Sequence, residues 1–190
     1  MASELEEALG DLARFLDAAG PYMKDLVLIG GWVPYFYRFL PDLHRPDHAP
    51  ILTKDFDLAS PAALREQGSK TLDERLRAAG FVVHESRDPV VLRYQDVRFG
   101  GKDLAPIHFE FLTALSGPAR GRHGEMRQTR DIQKGLPAQA LRYLDLLRHD
   151  PLLVCTADIP SRRRKVRGGL RIPNPASYVF QKALVHDVRG

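Results

Sequence analysis

The chain has 190 residues, 44% hydrophobic and 27% charged, enough apolar material for a folded core and too much for a disordered chain. A lone cysteine, Cys155, excludes an intrachain disulfide and a cysteine-built zinc site. Net charge is +4, from 28 Lys and Arg against 24 Asp and Glu, and no apolar run approaches the roughly 20 residues that span a bilayer.

The N-terminal stretch "MASELEEALGDLARFL" is acidic and amphipathic, unlike a secretory leader, so a cytoplasmic protein without membrane attachment is expected. Leu5, Leu9, Leu12, Phe15 and Leu16 share one helical face behind Ser3 and Glu6, a capping-box pattern; Gly20-Pro21 ends the helix. "DLVLIGG" (25–31) suits a buried strand stopped by two glycines, and "WVPYFYRFL" (32–40) a helix that tolerates Pro34 in its first turn. The Pro-rich 41–52 reads as a loop carrying His44 and His48, which are expected to be solvated.

"TKDFDLAS" (53–60) alternates apolar Phe56 and Leu58 with Asp55 and Asp57, the pattern of a strand with one apolar face. Its other face holds two carboxylates about 7 Å apart. They repel, and a cation between them would relieve the repulsion. Lys54 is expected on the opposite face. A helix is expected near 69–79, then strands at 81–86, 90–96 and 107–113 joined by turns at Asp88-Pro89 and Gly100-Gly101.

Glu110 stands alone among Ile107, Phe109, Phe111 and Leu112, costly if buried without a partner. It belongs beside the Asp strand if it joins the same cluster. Beyond 116 the chain is rich in Gly, Pro and Arg. Then "PAQALRYLDLLRHD" (137–150) reads as a helix, and Asn174-Pro175 opens a last one. The expected architecture is α/β (α+β), a mixed β-sheet flanked by helices with a small helical C-terminal part. Residues 1–115 are expected as the core and 116–190 as a basic loop and helical region packed on it.

Each feature also has a plain reading. A Gly-Gly turn after a strand is common, an Asp-x-Asp pair can lie on the surface, and a lone Glu can face solvent beside His108. Their order is what points to chemistry. Glycines before a helix admit a phosphate, and paired carboxylates suit Mg²⁺. Trp32 is expected to pack helix on sheet in preference to stacking a base, and Cys155 to sit in the core. Arg93 is a further phosphate-contact candidate. The tract Arg162, Arg163, Arg164, Lys165 and Arg167 lacks interleaved aromatics, which favours phosphate contacts over base readout.

"LIGGWVPYFY", "TKDFDLA" and "HFEFLT" together resemble the nucleotidyltransferase superfamily of the DNA polymerase beta type. Within it the chain is similar to minimal and AbiE-type bacterial members, where a Lys on a C-terminal helix recurs, matched here by Lys182 in "IPNPASYVFQKALV". The resemblance implies that Gly30, Gly31 and Lys182 hold the triphosphate of an NTP. It also implies that Asp55, Asp57 and Glu110 bind Mg²⁺ or Mn²⁺ and catalyse transfer of an NMP to a hydroxyl, releasing pyrophosphate. The basic second half favours an RNA or tRNA acceptor; a small molecule or a protein hydroxyl stays open. So does a non-catalytic module with an antitoxin-like protein partner. Residues 32–54 separate the glycines from Asp55, longer than the family's usual gap, an excess assigned to the 41–52 loop.

Overall fold

The computed structural model describes residues 2–41, 53–87, 90–96, 107–117, 129–155 and 169–189. The 41–52 loop with His44 and His48, the two expected turns and the Arg162–Arg167 tract all fall largely or wholly outside them.

Helix α1 (Ala2–Ala19) begins ahead of the expected Ser3 cap and gives way at Gly20 to a 3-10 turn, Gly20–Lys24. Strand β1 (Val27–Ile29) runs into a second 3-10 turn, Gly30–Trp32, and the short helix α2 (Val33–Tyr37). Then come β2 (Asp55–Ser60), α3 (Leu72–Ala78), β3 (Phe81–Arg87), β4 (Val90–Asp96) and β5 (His108–Ala114). Thr71 and Glu74 close a capping box at the start of α3.

Strands β1 to β5 lie in the order β1-β2-β5-β4-β3. β2 and β5 are parallel, while β1–β2, β5–β4 and β4–β3 are antiparallel, so the sheet is mixed as expected. Beyond its contact with β4, β5 pairs parallel with β7 (Leu136–Leu141), which pairs in turn with β6 (Thr129–Gln133).

The helix expected over 137–150 is therefore wrong in its first half, and only α4 (Leu144–Leu147) is helical. Leu136 and Ala138 point into the core while Pro137 and Gln139 are half-buried, a period of two. Pairing with β5 outweighs the helix-forming character of "AQALRYL". A separate hairpin joins β8 (Leu152–Cys155) and β9 (Gly169–Ile172). It buries one face only, with Val154 inward, so Cys155 is exposed and not the core residue expected. Helix α5 (Pro175–Arg189) is capped where expected: the Ser177 amide donates to Asn174 Oδ1 at 2.8 Å.

The sheet has two different faces. Phe56, Leu58, Phe109 and Phe111 pack with α1 and α2 residues in the main core. Trp32 stacks on Phe56, Phe56 on Phe109, and Phe109 on Phe15, with centroids 4.4, 5.1 and 4.4 Å apart. That run of rings fixes β2 beside β5. Full burial of each ring is worth about 1.5–3 kcal/mol. The opposite face carries a smaller cluster, Val27, Ile29, Ala59, Leu112, Leu144 and Leu147, with Tyr178 of α5 against it. Next to that cluster lie the carboxylates. Among the described residues, no helix is long and apolar enough to cross a membrane.

Candidate functional site

Asp55 and Asp57 project from β2 on the face opposite Phe56 and Leu58, because successive strand residues alternate. Parallel pairing sets Asp55 level with His108 and Asp57 level with Glu110. The register thus brings the three acidic residues of distant sequence segments onto one patch. A slip of one residue would have sent Glu110 into the aromatic core.

Gly30 closes the β1 side of the patch. It follows Ile29, the residue level with Asp57, and adopts φ +77°, which side-chain-bearing residues rarely take. A Cβ at Gly30 would fall on Asp57 Oδ2, and one at Gly31 on the Thr53 side chain. Both glycines are therefore needed for the chain to lie against the start of β2. Trp32 fixes the turn from beneath, 1% exposed, its Nε1 donating to the Thr53 carbonyl at 3.0 Å. It packs, as expected.

Helix α5 covers the glycine turn. Tyr178 donates its hydroxyl to the Gly30 carbonyl at 3.0 Å, and the Lys182 ammonium stands 5.5 Å from the Tyr178 ring centroid. Lys182 is exposed, yet near enough that its charge favours ionised Asp57. Tyr178 is not among the residues expected at the site. Its position four residues before Lys182, one helical turn away on the same face, is the signal that could have found it.

Charge is uneven across the patch. Burial, then the charges of Glu110 and Asp55, push the Asp57 carboxyl up to about 7; Lys182 and Arg93 pull it back. Glu110 is 9% exposed and does not stand alone: Arg93 of β4, level with it, makes an ion pair with its carboxylate. Arg93 thus lies on the cleft face, with nearly half of its side chain exposed. His108, beside Asp55, is driven below its ordinary pKa chiefly by burial, and its Nδ1 has no hydrogen-bond partner among the described residues.

Among the described residues, no three His, Cys, Asp or Glu side chains converge into a ready-made metal cage. Glu110 is engaged by Arg93, which leaves Asp55 and Asp57 as the open carboxylates. Hard oxygen donors with a proton-binding Asp57 between two other acids are chemically suited to Mg²⁺ or Mn²⁺. Asp55 and Asp57 are the residues that would hold such an ion, and Glu110 would have to leave Arg93 to join them.

A family model described as nucleotidyltransferase matches residues 7–190. No curated protein and no solved structure matches the chain.

Proposed function

Because the chain belongs to the nucleotidyltransferase family, we propose that it moves an NMP from an NTP to an acceptor hydroxyl at the patch formed by Gly30, Asp55, Asp57 and Glu110. One observation carries the reading: β-pairing puts Asp57 level with Glu110 while the glycine turn presses on Asp57 itself. Asp55, Asp57 and Glu110 then lie on one face of the sheet beside that turn.

The Gly30–Gly31 turn, held close against Asp57 and Thr53, borders the triphosphate, and Lys182 offsets its charge from α5. Asp55 and Asp57 would hold Mg²⁺ or Mn²⁺, with Glu110 as third ligand, and the metal would supply activation of the attacking oxygen and charge stabilisation for the leaving pyrophosphate. Glu110 takes the proton of the attacking hydroxyl or orders the group that does. Arg93 holds Glu110 in place before substrate arrives. Tyr178 holds the glycine turn beneath α5 and so sets where the phosphates lie. The kinship extends to the AbiE-type members, the protein acts in the cytoplasm, and the acceptor is an RNA end, a choice supported by the +4 net charge.

Pyrophosphate release tests the reading. Purified protein with Mg²⁺, total RNA and each NTP in turn is expected to release pyrophosphate with at least one NTP. Asp55→Asn and Asp57→Asn are each expected to cut that rate at least a hundredfold. Release that ignores both substitutions would contradict the assignment.

A further inference from the structure

The carboxylate patch does not end at Glu110. Two rows of side chains cross the same face from β2 to β3, since directly paired residues share a face. One row is Asp57, Glu110, Arg93, His84 and the other is Asp55, His108, Gln95, Val82. Side-chain contacts agree with the register. His84 Nε2 and Gln95 Oε1 are 2.9 Å apart, and the His84 and His108 rings meet edge to face at 6.2 Å. Neighbouring strands are about 4.8 Å apart, so the rows run roughly 14 Å from Asp57 to β3.

This shelf lies on the far side of Asp57 from Gly30, Tyr178 and Lys182. In-line phosphoryl transfer needs the attacking oxygen opposite the leaving group. If the triphosphate occupies the glycine and α5 side, the acceptor must approach over β5, β4 and β3.

The shelf's chemistry narrows what that acceptor is. Its fixed charge among the described residues, beyond the three acids, is the Arg93 guanidinium, 46% exposed. Among the described residues, no additional carboxylate lies on these two rows to hold a cationic acceptor. His84 is exposed and Val82 is 40% exposed, so an imidazole face, a guanidinium plane and an apolar edge are open together. With its Oε1 turned to His84, the Gln95 amide keeps N–H donors for a ligand. Imidazole and guanidinium planes stack bases, and guanidinium and amide groups contact phosphate or base edges.

We infer that His84, Arg93, Gln95 and His108 form the acceptor shelf and take a nucleotide unit whose ribose hydroxyl is presented to Glu110 and Asp55. The inference rests on the nucleotidyl-transfer reading and adds the acceptor's seat. The unit is the 3′ end of an RNA, and the same experiment separates it from a free nucleoside monophosphate.

The probe is a six-nucleotide RNA with 4-thiouridine at its 3′ end, photocrosslinked to the full chain and mapped by peptide mass spectrometry. Binding of a fluorescent ATP analogue is measured in parallel. Crosslinks are expected in the peptides of 81–96 and 107–115. His84→Ala/Gln95→Ala is expected to lower their yield at least fivefold without changing ATP binding or the melting curve. His84→Glu, which sets a carboxylate against the phosphate, is expected to lower it further. Displacement of the RNA by AMP at an equal concentration assigns the shelf to a free nucleotide, and displacement only at tenfold or greater excess assigns it to an RNA end. Crosslinks confined to other peptides, or a yield untouched by the double variant while ATP still binds, would overturn the shelf. A wild type that binds no ATP analogue would instead overturn the transfer reading beneath it.

Discussion

The Tyr178 hydroxyl reaches the Gly30 carbonyl across 148 positions of sequence, at 3.0 Å. This one bond joins the C-terminal helix to the glycine turn that presses on Asp57. It makes α5 part of the site's wall, and Lys182 follows on the next helical turn.

Tyr178→Phe removes that bond and leaves the ring in place. A hydrogen bond of this kind contributes about 1 kcal/mol net, so melting is expected to show a loss of that order. The larger expected effect is a three- to tenfold weaker affinity for an ATP analogue, because the glycine turn loses its tether. Equal affinity in the variant, measured by fluorescence titration, would make Tyr178 merely structural.

Gly30→Ala meets two penalties. Its φ of +77° is strained for an L-residue by roughly 1–2 kcal/mol, and the new methyl lands on Asp57 Oδ2. The variant is expected to fold, melt a few degrees lower and lose transfer activity at least a hundredfold. Gly68→Ala provides the control: φ is similarly positive at +85°, but a Cβ there meets nothing within 4 Å. It is expected to cost stability with little effect on activity.

Asp57 sets a pH dependence whose sign is fixed by its raised pKa. The folded chain holds a proton on it up to about pH 7, whereas the unfolded chain releases that proton near 3.8. Stability is therefore expected to fall as pH rises between about 4 and 7 and to level off above, by at most about 4 kcal/mol. Asp57→Asn is expected to flatten this slope and to melt above wild type at pH 8 while losing activity. Mg²⁺ competes with the same proton, so its stabilising effect is expected to grow as pH passes 7. Melting curves across pH with and without Mg²⁺ check both statements.

Arg93→Ala leaves Glu110 without its partner beside Asp57. Arg93 is nearly half exposed but Glu110 is buried, so the direct stability loss is expected to be about 1–3 kcal/mol, more than a surface pair would cost. Its electrostatic effect is the sharper test. Arg93 lowers the Asp57 pKa, so the Asp57 titration seen by carboxyl NMR is expected to move above 7 in the variant.

Trp32→Ala opens a cavity under the site, where the ring stacks on Phe56 at 4.4 Å. Buried Trp truncations cost about 3–5 kcal/mol. Trp32→Phe is expected to recover most of this stability and to bind the ATP analogue as wild type does, which checks that the ring packs and does not hold a base.

The carboxylate strand was legible because Asp55, Phe56, Asp57 and Leu58 alternate cleanly, and Glu110 because its surroundings are so apolar. The strands expected at 81–86, 90–96 and 107–113 and the cap at Asn174 followed from equally local signals. What could not be read locally was pairing. β7 lies in a segment of helix formers and becomes a strand only because β5 offers it an edge. The Arg93–Glu110 pair, the His84–Gln95–His108 contacts and the Tyr178–Gly30 bond all depend on which strand or helix lies alongside. Cys155 was misjudged for the same reason, since the β8–β9 hairpin covers only one of its faces.

The most direct test of the central claim follows the two ends of the triphosphate separately. Wild type and Asp55→Asn/Asp57→Asn protein are incubated with Mg²⁺, total RNA and NTP labelled on either the α- or the γ-phosphorus. α-Label is expected on RNA with wild type alone, and γ-label is expected as released pyrophosphate. Transfer of γ-label to any acceptor, or α-label transfer that survives the double substitution, would contradict that claim.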